Sequence, residues 1–95
     1  MKVKNINGTS DNTCECRSWL HHWQRFSGQS SIYCSVKNCL SYAEVGAHVQ
    51  KGGLMIDNSW YIVPMCKSHN NMHGQVLEIG DAYNLVSANA RETCG

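Results

Sequence analysis

The chain has 95 residues, 16% of them charged, and a formal net charge of +1 at pH 7 with its histidines neutral. One domain is the most this length builds, and its apolar core alone leaves it marginally stable. So even a charge balance excludes a general pull toward nucleic acid or membrane, and binding to either needs a local patch.

In chain order, residues 1–13 are polar, with two lysines and no apolar run behind them, and read as a loose lead-in rather than a signal peptide. Residues 17–27 predict a helix, with Ser18 as N-cap and Gly28 just past its end. Trp19, Trp23 and Phe26 share one stripe of that helix, a core face; His22 flanks the stripe and His21 points away. After the breaker "GQSS", the stretch "SIYCSVKNCLSYAEVGAHVQ" predicts a strand, a cysteine-bearing turn and a second strand. On the second strand Val45, Ala47 and Val49 face one side and Glu44, Gly46 and His48 the other. "KGG" reads as a turn and "NSWYIVP" as a strand ended by Pro64, with a short helix following from Cys66 to about His73, stopped at Gly74. The tail, 75–95, predicts one or two short strands or turns. No stretch is long enough to span a bilayer, so no membrane partner is expected and a cytoplasmic location is.

Six cysteines and five histidines are a heavy load for so short a chain. Three disulfides are one reading of an even cysteine count in a secreted miniprotein. With no export signal and with histidines interleaved among the cysteines, metal coordination is the better account, and a structural zinc adds the stability that a small core lacks. Cys34 and Cys39 bracket "SVKN", four small or polar residues that suit a ligand-bearing turn. Cys66 and His69, three apart at the start of the second helix, share a helix face. Two such pairs, with a hairpin between them, can converge on one tetrahedral zinc. Cys14, Cys16 and Cys94, with His22, form a possible second metal site; free thiols in the two tails are the competing reading.

Knuckle, hairpin and helix, with a ligand pair at the helix start, resemble the treble-clef zinc fingers. The expected fold is therefore α+β: a small zinc-stabilised treble-clef (ββα) core over residues 31–74 with an added N-terminal helix, within a single domain of residues 1–95. "VGAHV" followed by "YIVPMCKSHNN" resembles the HNH, or His-Me finger, endonucleases. That resemblance implies His48 as the general base on a water, Cys66 and His69 as a zinc-ligand pair, and Asn70 in the place of a helix histidine that holds a catalytic magnesium or manganese ion. His73, one turn further along, is a further candidate for that ion. The sequence departs from the pattern at Ala47, where active members carry an acidic residue or histidine, and at Asn58, which is displaced from the usual asparagine. Two functions follow as expectations: a metal-dependent nuclease acting on DNA or RNA, or a non-catalytic zinc module binding nucleic acid or a protein partner. A structural subunit of a larger assembly is a third.

Overall fold

The computed structural model describes residues 1–6, 18–30, 33–52, 59–72 and 74–88. Its elements, in chain order, are β1 (Lys2–Asn5), α1 (Trp19–Ser27), β2 (Val45–Lys51), β3 (Tyr61–Met65), α2 (Lys67–Asn70), β4 (Val76–Glu78) and β5 (Val86–Ser87). The five strands form one antiparallel sheet in the order β4-β1-β2-β3-β5, so the chain is a small α+β protein. Among the described residues no helix is long and apolar enough to cross a membrane.

Strand alternation gives the sheet two different faces. Ala47 and Val49 on β2 join Val3, Val63, Met65, Leu77 and Ile79 in one cluster, which also takes in Cys34 and Cys66. On the opposite face Ile62 and Val86 pack with Trp23 of α1. Full burial of a side chain such as Ile62 stabilises the fold by about 2 kcal/mol. Helix α1 starts where Ser18 adopts extended backbone and its hydroxyl accepts the His21 N–H at 3.1 Å. It stops at Gly28, whose φ of 69° is left-handed and costs glycine little.

Four expectations change. Residues 2–5 are not a loose lead-in but β1, paired on both sides, with Val3 opposite Lys51 of β2 and Leu77 of β4. Lys2 and Lys4 are exposed while Val3 and Asn5 are buried, a period-2 pattern carried by a single strong hydrophobe.

Pro64 does not end its strand: β3 continues to Met65. The Pro64 carbonyl accepts the Ser35 N–H at 2.9 Å, pointing away from β2, so the missing N–H also falls on that side. There β5 pairs only with Tyr61 and Ile62, and no ladder bond is lost.

The second helix is one turn, Lys67–Asn70, rather than a run to residue 73. Its Cys66 is the N-cap and Asn71 the C-cap. On α1 the buried stripe is His22 and Trp23 with Trp19 half-buried, while Phe26 sits at the rim, 37% exposed.

Candidate metal centre

Four side chains from two separate segments meet on the Val3–Ile79 face of the sheet. Cys34 and Cys39 belong to a turn closed by the Cys39 N–H donating to the Val36 carbonyl at 3.0 Å, with Asn38 at a positive φ of 66°. That turn is held as a knuckle by an antiparallel bridge between Tyr33 and Tyr42 and by the Cys34 N–H donating to Ser41 at 2.9 Å. Cys66 follows the last residue of β3 and is the N-cap of α2, so His69 lies one turn above it. The Ser35–Pro64 hydrogen bond ties the knuckle to the strand that delivers Cys66.

The ligand atoms of Cys34, Cys39, Cys66 and His69 all lie within 4.8 Å of one another. Nδ1 of His69 stands 3.3 Å from Sγ of Cys66 and 3.7 Å from Sγ of Cys34. A tetrahedral ion with bonds of 2.0–2.3 Å holds its donors roughly 3.5–3.8 Å apart, and the two His69 spacings lie close to that. The cluster can hold a metal ion.

The electrostatics point the same way. Burial pushes the Cys34 thiol up to about 12; the N–H groups of Cys66 and Val36 pull it back less, and charge on Cys66 and Cys39 pushes it further up. Cys39 is shifted down, chiefly by the backbone N–H of Ser41. Three crowded sulfurs of which one resists ionisation need a cation before all can be thiolates. A soft set of three sulfurs and one imidazole suits zinc-type chemistry better than magnesium or calcium.

The other sequence-predicted residues do not join this centre. His48 lies on the opposite face of β2, under α1, its ring edge-on to Trp19 at 4.8 Å and to Trp60 at 6.4 Å. Nε2 of His48 is buried with no hydrogen-bond partner among the described residues, and burial, with a smaller push from His22, lowers the imidazole to about 4. Asn70 is the last residue of α2, on the metal-centre side, so the sheet separates it from His48. His22 is wholly buried and its Nε2 donates to the Ser87 carbonyl at 2.8 Å. Cys14, Cys16, Cys94, His73 and Asn58 lie outside the described residues.

Sequence reasoning missed Asn5. Its buried side-chain amide donates to the carbonyls of His69 at 3.1 Å and Asn70 at 2.8 Å. The alternation in "KVKN" was the available signal, since it turns residues 3 and 5 to the same side. In comparisons with protein-family models, with curated proteins and with solved structures, nothing matches this chain.

Proposed function

We propose that this chain is a zinc-stabilised module of treble-clef type, in which Cys34, Cys39, Cys66 and His69 hold a structural zinc ion. The observation that carries the reading is the convergence of those four donor atoms within 4.8 Å. Four protein ligands close a tetrahedral site, leaving no open position for a water or substrate, which is the signature of structural rather than catalytic zinc. The ion would join the knuckle to α2, two short segments far apart in the sequence. Around the knuckle Tyr33 and Tyr42 stack at 5.6 Å and Leu40 is 87% exposed, a surface open to a nucleic-acid or protein partner. The test is elemental analysis of the gently purified chain: about one zinc per protein is expected from this centre, reduced on Cys66→Ser. Less than half an equivalent overturns the reading.

A second reading, an HNH-type nuclease with His48 as base, draws support from one feature. The His48 imidazole is held neutral at pH 7 by burial and its Nε2 has no partner among the described residues, so it can accept a proton, although at about 4 only weakly. Against it, the ring is 8% exposed beneath α1 and stands across the sheet from Asn70. Magnesium- or manganese-dependent cutting of plasmid or branched DNA, abolished by His48→Ala with zinc retained, would restore it. A protein that never cuts leaves the structural-zinc module as the function.

A further inference from the structure

Asn5 is wholly buried in the middle of a five-stranded sheet, directly across from Val49 of β2. A buried amide is costly there unless its polar atoms are paired. Its Nδ2 is paired twice, to consecutive carbonyls of α2, but its Oδ1 is buried with no partner among the described residues. Its main chain reaches the same region: its N–H donates to Gln75 at 2.9 Å and its carbonyl accepts from Gly74 at 2.7 Å. A valine would fill the site without leaving an acceptor stranded, so the two donors given to α2 are what the asparagine contributes.

Helix α2 needs them. A single turn does not persist alone in water, and the main-chain bond that the His69 carbonyl accepts from the Met72 N–H at 3.0 Å stays within the segment and does not tie it to the sheet. It nevertheless carries His69, and the direction of the imidazole follows the rotation of that turn.

We propose that Asn5 is a positioning residue for the metal centre: by gripping the carbonyls of His69 and Asn70 it fixes the rotation of α2 and hence the place of the His69 Nδ1 among the cysteine sulfurs. The inference rests on the metal reading above. Residues outside the coordination sphere that orient a ligand act in this way, and their loss typically costs 10–100-fold in metal affinity.

The experiment uses cobalt(II) as a spectroscopic probe on the full chain, comparing wild type, Asn5→Ser, His69→Ala and the double variant. Asn5→Ser is expected to weaken cobalt about 10–100-fold and to shift the visible bands as the nitrogen donor loosens. In the His69→Ala background the same change should alter affinity by less than about threefold, because the ligand it orients is gone. An equal loss in both backgrounds overturns the proposal and leaves Asn5 a fold residue only; so does unchanged affinity in Asn5→Ser. Should Asn5→Ser not fold, Asn5→Val fills the site while removing the donors, and the same coupling to His69 decides. Failure of the wild type to bind cobalt at all overturns the metal reading itself, a separate outcome.

Discussion

Gly46 of β2 lies against the backbone of Trp19 at the start of α1: a methyl group on Gly46 would sit 2.7 Å from the Trp19 carbonyl oxygen and 2.6 Å from the Leu20 amide nitrogen. Backbone atoms cannot rotate aside as a side chain does, so α1 would have to lift from the sheet. Gly46→Ala is expected to destabilise the protein by about 3 kcal/mol. Urea denaturation followed by tryptophan fluorescence measures it; a midpoint equal to wild type contradicts the close approach.

Chelation should cost the chain much of its stability rather than merely empty the site. Zinc at a thousand times its dissociation constant adds about 4 kcal/mol to a fold that binds it only when native. Cys39→Ser separates this effect from ordinary packing, because Cys39 is only half-buried. With excess chelator its stability should match wild type within about 0.5 kcal/mol; with zinc it should fall well short. Equal penalties in both conditions argue for a packing role.

Acid should weaken the fold through His48. Its folded value of about 4 lies below the ordinary 6.5, so the folded state prefers the neutral ring. Above 6.5 neither state is protonated and the group contributes nothing. Below it the unfolded chain takes up the proton first, so stability falls as the pH drops toward 4, by about 2 kcal/mol at pH 5. His22 and Trp19 from α1 and Trp60 face the ring, and His22 is the titratable one among them. His48→Leu removes the proton site, and its urea midpoint should move less than that of wild type between pH 7 and 5. Loss of metal in acid affects both proteins, so their difference isolates His48. Parallel curves would dismiss the buried-histidine account.

Trp23, fully buried, donates its indole N–H to the Asn84 carbonyl at 2.7 Å. Trp23→Phe keeps an aromatic ring but strands that carbonyl and leaves part of the indole volume unfilled, a loss of about 2 kcal/mol or more. Thermal denaturation reads it, and a shift within error of zero would mean that Asn84 finds another donor.

How far the sequence could be read depended on range. Cys34 with Cys39 and Cys66 with His69 were legible because ligand pairs are local spacings, and the alternation of Val45, Ala47 and Val49 marked the inner face of β2. Strand β1 was hidden: a four-residue segment with one strong hydrophobe gains its identity from partners at Val49–Lys51 and Val76–Glu78. The length of α2 was hidden for a related reason, since its carbonyls are captured by Asn5, more than sixty residues earlier. His48 was given the right strand and face, but no local pattern reveals that α1 covers that face.

The place of β1 between β2 and β4 bears on how the protein is made. During synthesis all four side chains of the candidate metal centre leave the ribosome before Val76 does, whereas the first strand waits for that later segment to shield its second edge. A metal captured early would order the knuckle and α2 while the sheet is still incomplete. The slow step would then be the pairing of Lys2–Lys4 with Val76–Glu78, a contact of high sequence separation.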